Sequence, residues 1–574
     1  MKKYYLLIVL CGLVFSFTAN AQYSRYIIRL KDKKGSPYSL ASPSAYLSAK
    51  AIARRTNHKL VTDSTDLPVI KSYVDSIRAV PNVIVLNTSK WLNQVCIKTT
   101  DPTAALAAIN AFSFVKSSSP IAVRTIRPSA GPSPKADEFN QQSVALRTND
   151  IEGGSGIAGI QDFYNYGGNA GQVHIHEGEY LHNLGFHGEG MTIAILDGGF
   201  FNYLTNPALD SVRQAGQVLG TWDYVANEAS VNEDNPHGGW CFSVIASNNP
   251  GKIVGTAPKA KFWLLRTEDV NSEYPVEEQN WVAAAEFADS AGADIITSSL
   301  GYSDFDDASF DHSYAQRDGK TSIISIAANM AVRKGMLVTN SAGNSGGLAT
   351  DGKFVICPAD ADSVLTIGAT DVNGIIAPFS SWGPNGAGKQ KPNVVSVGWN
   401  AVVANYNTGN PAFLNGTSFS NPNLCGLVAC LWQAFPGFSN MEIFNALQRS
   451  ATKYNTPDYQ FGYGIPNMRL AYLDLQQQQV AQNYQQVLGN NWIKAYPVPF
   501  STVLNVLLKA PLTGNSTLRL VDMSGKTIEI KSTAVQEGSI YTLNFSKAKF
   551  LSKAVYTVQY SDGKNKVSLR VVKQ

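Results

Sequence analysis

Residues 415–435 read NGTSFSNPNLCGLVACLWQAF. A serine stands between a Gly-Thr pair and an apolar run, and a proline follows it by four positions. The pattern predicts a buried helix opening at Ser418, with Pro422 in its first turn, where a missing N–H does least harm. Gly416 has no Cβ, so another backbone can come close. The first-turn N–H groups and the positive end of the helix dipole would face any negative charge that develops there. A plainer reading of the same letters is a Gly-Thr-Ser cap on a core helix. What decides between them is whatever else reaches this point.

Upstream, short apolar runs end on small or polar residues: MTIAILD (191–197), AKFWLLRTE (260–268), ADIITSSLG (293–301), GMLVTNSAGN (335–344) and VLTIGATD (364–371). Helical stretches such as EEQNWVAAAEFADSAG (277–292) separate them. Strands buried on both faces and alternating with helices predict a parallel α/β sheet. Open sheets of this kind hold their sites at the carboxyl ends of strands. Asp197 ends the first run. His237 opens a helix-like stretch in DNPHGGWCFSVIAS (234–247), where Gly238 and Gly239 keep its approach clear and Cys241, Val244 and Ile245 give an inward apolar face. Asn344 ends the fourth run.

These types make one chemistry when they meet. A serine hydroxyl is a weak nucleophile and needs a base, a group to orient that base, and donors for an oxyanion. An imidazole can take and return the proton, a carboxylate can hold its tautomer, and an amide can donate to the oxyanion. Taken singly, each has a bland reading: a loop histidine, a turn aspartate, Asn-Ser-Gly turn chemistry.

The chain order Asp…His…Asn…Ser with these four contexts resembles the subtilisin-like serine proteases. AILDGG, PHGG, SSLGY, SAGN and GTSFSNP carry the likeness, supported by VGTAPKAKFWLLRT, FSSWGP and GYGIPNMRLA. The resemblance implies an α/β fold with a subtilisin-like parallel sheet flanked by helices. It implies a catalytic triad of Asp197, His237 and Ser418, with Asn344 and the Ser418 N–H as the oxyanion hole. It places substrate along Ser299, Leu300 and Gly301, with Ala342 and Gly343 on the other wall of the first specificity pocket. The implied activity is endopeptidase hydrolysis through an acyl-enzyme, on protein or peptide substrates. The chemistry needs no cofactor; structural calcium is possible in such relatives, with no ligand run assignable here. Gly198 and the sequence HGGW depart from the usual residues, and Trp240 either narrows the nearby pocket or packs on the core. An inactive scaffold displaying its cleft as a surface peptide-binding site is the competing reading.

The rest of the 574 residues needs more than one core. Hydrophobic residues at 44% and charged at 16% describe a globular chain, and a net charge of +4 gives no argument for a nucleic-acid partner. Residues 1–21, with Lys2, Lys3, an apolar run and Ala19-Asn20-Ala21, read as a signal peptide. Residues 22–127 read as a small α+β unit, and the resemblance makes it an inhibitory propeptide, the chain's own intramolecular inhibitor. A linker follows at 128–160, the catalytic domain at 161–475, and a Gln-rich linker at 476–492. Arg124, Arg127 and Arg147 offer basic positions for maturation. Residues 493–574 alternate polar and apolar positions with an Asp-Gly turn, as a small β-sandwich does. This part resembles the type A sorting domain of type IX secretion substrates. It implies secretion machinery as partner, export across a Gram-negative outer membrane, and a secreted or cell-surface location. Cys96, Cys241 and Cys357 are open to pairing or to burial as thiols; Cys425 and Cys430, five apart in one helix, are poorly placed to bridge. His174, His176, Glu177, Glu179, His182 and His187 crowd one stretch and raise a metal site as a third possibility.

Overall fold

The computed structural model describes residues 23–123, 144–145, 162–233 and 235–574. The expected signal peptide, Arg124, Arg127, Arg147 and the 128–160 linker, apart from 144–145, lie outside them.

Residues 23–123 run β1 (Tyr23–Leu30), α1 (Ala49–Asn57), α2 (Lys71–Arg78), β2 (Val83–Ser89), β3 (Gln94–Thr99), α3 (Pro102–Asn110) and β4 (Val115–Val123). The strands form an antiparallel sheet in the order β2-β3-β1-β4. Ile28, Ile77, Ile97 and Ile109 fill the core between sheet and helices. The acidic start read before α3 is a working cap: Asp101 accepts from the Ala104 N–H at 3.1 Å, and Pro102 opens the helix.

The large sheet is built from β5 (Thr192–Asp197), β6 (Val218–Asp223), β7 (Lys261–Arg266), β8 (Ile295–Ser298), β9 (Leu337–Ser341), β10 (Leu365–Thr370) and β11 (Val394–Val397). Seven parallel strands lie in the order β11-β10-β9-β8-β5-β7-β6. β5, β8, β9 and β10 are buried at every position, as helices on both faces require. The chain lays β6 and β7 on one side of β5, then crosses to lay β8 through β11 on the other. The topological switch falls between β5 and β8, and a crevice opens beyond their carboxyl ends. Packed on the sheet are α4 (His237–Ala246), α5 (Pro275–Ala291), α6 (Ile323–Arg333) and α7 (Thr417–Ala434). A hairpin, β12 (Ala401–Ala404) with β13 (Pro411–Leu414), delivers the chain into α7. α5 starts with Pro275 behind a Tyr274–Glu277 capping box and ends at Gly292, whose φ of 88° only glycine adopts easily.

Much of the stretch expected as a Gln-rich linker, 476–492, is helical: α8 (Met468–Leu488) runs into it. Its glutamines are good helix formers, and Leu475 and Leu488 are buried anchors. From Leu473 the chain forms a second compact unit. Its strands are β14 (Ile493–Tyr496), β15 (Asn505–Lys509), β16 (Gly514–Val521), β17 (Thr527–Val535), β18 (Ile540–Asn544), β19 (Val555–Ser561) and β20 (Lys566–Val572). They make two antiparallel sheets, β14-β15-β18 and β17-β16-β19-β20, around Val506, Leu508, Leu520, Val558 and Tyr560. In the expected turn, Asp562 accepts from the N–H groups of Lys564 and Asn565. Among the described residues all five cysteines are buried free thiols.

Candidate active site

The crevice at the switch point collects the predicted side chains. Asp197 is the last residue of β5, fully buried, and its Oδ1 accepts from His237 Nδ1 at 2.7 Å and from the Gly198 N–H at 2.7 Å. His237 is the first residue of α4 and is itself 1% exposed. Their approach explains one of the two glycines that follow. A Cβ on Gly238 would lie 2.5 Å from the Gly199 carbonyl and 2.8 Å from Asp197 Cβ, whereas one on Gly239 would meet nothing nearer than 3.5 Å. Only Gly238 is there for clearance. Trp240 packs on Val397, Ala401 and Phe419 and is part of the core, not a pocket wall.

Burial works against a charged His237, but the Asp197 carboxylate, joined by the Cys241 sulfur, outweighs it and holds the imidazole pKa well above the ordinary histidine value. Cys241, one helical turn on from His237, is buried with its thiol pKa raised by desolvation. Its Sγ lies 4.0 Å from His237 Nδ1.

Ser418 sits in the first turn of α7, 2% exposed. Pro422 is not in that turn: the helix opens at Thr417, which makes proline its sixth residue. The displaced proline has a use. A residue at 422 would normally donate its N–H to the carbonyl of 418, and proline has none to give. The freed Ser418 carbonyl instead accepts from Ser299 Oγ at 2.8 Å and Cys241 Sγ at 3.3 Å. A break in one helix thus ties the serine to β8 and to α4.

Asn344 follows β9 by three residues. Its Oδ1 accepts from the Thr417 N–H at 2.8 Å and from Thr417 Oγ1 at 2.9 Å, and Gly343 N–H donates to the same Thr417 oxygen at 3.2 Å. With the carbonyl end of the amide turned to Thr417, the NH2 end is the one aimed elsewhere. Gly343 has φ 108°, and a Cβ there would meet Ser381 Oγ at 2.8 Å, so both backbone and space demand glycine.

The expected cleft walls divide. Ser299 holds the Ser418 carbonyl through its Oγ, whereas Leu300 turns its side chain into the core beside Trp281 and Val338, and its carbonyl accepts from Asn340 Nδ2 at 2.9 Å. It adds no side chain to the wall. Ala342 is likewise buried with Val355 and Ala359. Sequence reading missed Thr417 and the polar frame beneath it: Ser298 donating to Asn340 Oδ1, and Asn421 Nδ2 donating to the Ser298 carbonyl at 3.0 Å. The i, i+4 spacing of His237 and Cys241 was the one available signal for the thiol.

The histidine-rich stretch does not converge. His174 pairs with Asp162, His176 lies between the Pro466 carbonyl and Ser396, and His182 between Tyr166 and the Thr256 carbonyl. Burial pushes His176 and His182 down to about 4, so both are neutral packing groups. Among the described residues, the ligand-type clusters are Asp197, His237 and Cys241, and the buried carboxylates Glu268, Glu273 and Glu277.

Residues 188–464 match the Subtilase family, residues 25–138 the Peptidase S8 propeptide domain of Bacteroidota, and residues 494–574 the Secretion system C-terminal sorting domain. Thermitase of Thermoactinomyces vulgaris is 31% identical over 275 residues, 46% of this chain and 82% of its own. Subtilisin Savinase of Lederbergia lenta is 29% identical over 291 residues, 50% of this chain and 93% of its own. Among solved structures, MycP1 from Mycobacterium smegmatis is similar over 58% of this chain and 90% of its own, at 20% identity and a TM-score of 0.42.

Proposed function

The chain belongs to the subtilase family and is a subtilisin-like serine endopeptidase, and from that premise we propose that Asp197, His237 and Ser418 are its catalytic triad. The observation that carries the reading is the buried 2.7 Å contact from His237 to Asp197. It lies where the sulfur of Cys241, one turn along His237's own helix, touches the carbonyl of Ser418.

Neutral His237 takes the hydroxyl proton as Ser418 Oγ attacks the scissile carbonyl carbon. The electron pair moves onto the carbonyl oxygen. That oxyanion is met by the Asn344 NH2 and by the Ser418 N–H, a first-turn donor with no intrahelical partner. Asp197 holds His237 with Nδ1–H facing the carboxylate and balances the charge of the imidazolium. His237 then gives its proton to the departing amine, the C–N bond breaks, and the acyl group stays on Ser418. Water, deprotonated by the same imidazole, attacks the acyl carbon and releases the acid. No step calls for a cofactor.

The two flanking matches fit an enzyme made as a zymogen and sent out of the cell: residues 25–138 as intramolecular inhibitor, residues 494–574 as the address read by secretion machinery. We read the route as export across a Gram-negative outer membrane, ending in solution or at the cell surface.

Ser418→Ala in the full chain tests the assignment. It should abolish both peptide hydrolysis and labelling by a serine-directed phosphonate. Labelling that persists in the variant would place the nucleophile elsewhere and end the reading.

A further inference from the structure

This inference rests on Ser418 being the nucleophile and concerns the substrate residue whose carbonyl it attacks. Two segments frame the serine. Ser299 Oγ holds its carbonyl at 2.8 Å, and the Gly343 N–H reaches Thr417 next to it at 3.2 Å. The gap between residues 299–301 and 342–344 therefore opens beside the reacting atom. A substrate carbonyl attacked by Ser418, with its oxygen turned to Asn344, must put the side chain of that residue into this gap.

The gap's end is filled. A Cβ built on Gly301 would lie 2.3 Å from Ile356 Cδ1 and 2.4 Å from its Cγ1; one built on Gly343 would lie 3.4 Å from the same two atoms. A single side chain thus spans from one wall to the other. Val355 and Cys357 on either side of it are fully buried, while Ile356 stays partly exposed, as expected of the residue in that segment that faces the open crevice. Its position is fixed by backbone pairing: Tyr302 N–H to the Cys357 carbonyl at 2.8 Å, Cys357 N–H to the Tyr302 carbonyl at 3.1 Å, and Val355 N–H to the Trp382 carbonyl at 2.8 Å. Branching at Cβ leaves isoleucine few ways to turn aside. Both walls carry glycine and could not be thinner, yet the space they leave is closed by a hydrocarbon end.

We propose that Ile356 is a specificity-determining residue that shortens this pocket, so that the enzyme cleaves after small residues: glycine, alanine and serine. A large side chain would have to displace Ile356, and a charged one would meet hydrocarbon with no partner.

The test uses the full chain after self-processing and two peptides identical except for alanine or phenylalanine on the acyl side of the scissile bond. The alanine peptide should win in kcat/KM by roughly 100-fold, the scale on which steric pockets discriminate. Ile356→Gly should shrink that ratio at least about tenfold, with Ile356→Ala serving if the glycine variant does not fold. Equal turnover of the two peptides by the unaltered enzyme, or an unchanged ratio in both variants, overturns the proposal. If neither peptide is hydrolysed, it is the triad reading that has failed. Binding of the same two peptides then still decides the pocket, with tighter binding of the alanine peptide supporting it and equal binding overturning it.

Discussion

Two places in this molecule join distant segments through buried polar groups, and they are made differently. In the active site the joints are neutral groups and backbone atoms: a serine carbonyl held by a hydroxyl and a thiol, an asparagine held by a threonine, and one carboxylate with its imidazole. At the seam where residues 23–123 lie on α5 and α6, full charges are buried together, beside neutral pairs such as Gln94 with Gln279 and Asn87 with Asn280. Asp289 of α5 accepts from both Arg54 and Arg55, and Asp66 pairs with Arg55 at 2.7 Å and with Lys334 at 2.8 Å. The two arginine side chains are 4% and 3% exposed, and both aspartates 0%. Charges buried together cost much of what they gain, whereas each is well solvated once parted. The charged joints of such a seam regain water when it opens, while the apolar contacts beside them, Ile27, Ile121 and Ala122 with Tyr274 and Val276, favour the closed state. The site, which never has to come apart, can rely on close packing and neutral bonds.

The comparison is broken most sharply at Asp197. Asp197→Asn keeps the shape but favours the wrong imidazole tautomer, and kcat should fall by about ten-thousandfold, the scale seen in serine triads on other folds. The unaltered enzyme supplies the sign of the pH effect. Because Asp197 raises the His237 pKa, the imidazole is neutral only above a pKa higher than the ordinary value. Activity should therefore climb with pH through a midpoint above about 6.5. A kcat/KM profile already flat between about pH 5 and 7 would contradict the geometry.

At the seam the largest effect is expected from Asp289→Asn, which leaves two buried guanidinium groups facing a neutral amide. Removing one member of a buried ion pair costs about 3–5 kcal/mol, so residues 23–123 added in trans should inhibit roughly 100- to 4,000-fold less well. Turnover of peptides by the mature enzyme should not change, because Asp289 lies on α5 away from the crevice. Unaltered inhibition would mean that the ions contribute nothing to the grip.

What could be read from the sequence follows the same division. The places of Asp197, His237 and Ser418 were legible because each ends a buried strand or stands at the opening of a buried helix, and that of Asn344 because it lies just past a buried strand; such context is written in the few residues around each. The direction of the Leu300 side chain was not legible, since its partners Trp281 and Val338 sit on other elements and nothing local says which way it turns. Pro422 was read as harmless; its role appears only once Ser299 and Cys241 arrive to use the carbonyl it frees. Polarity marks the Gln-rich stretch as a connector but leaves its conformation open; its helicity is what the propensity of glutamine favours. The seam left no trace at all: Arg54, Arg55, Asp66 and Asp289 look like ordinary surface charges until the two segments meet.

The smallest effect is the most informative about release. Glu286 of α5 accepts from Ser89 Oγ at 2.5 Å and from the N–H groups of Lys90 and Trp91 at 2.6 and 3.0 Å. Burial pushes its carboxyl pKa up to about 7, against the opposing pull of Lys90 and of these donors. In the separated enzyme the same carboxyl returns to water and to the ordinary range near 4.3. A group that binds its proton more tightly in the closed state contributes fully below its free pKa and loses that contribution as pH rises through the bound one. Inhibition by residues 23–123 should therefore weaken as pH rises from about 4.5 to 7, by at most about tenfold per unit from this group. His58, whose pKa is lowered by burial and by Arg54, pushes the other way over part of that range, while Asp63 and Asp66 are held below the ordinary carboxylate range and titrate under it. Those groups are the same in Glu286→Gln, so the difference between its inhibition profile and that of the unaltered pair isolates Glu286. The variant should show a flatter fall across the window. Profiles that run parallel would mean that the seam opens without sensing this proton.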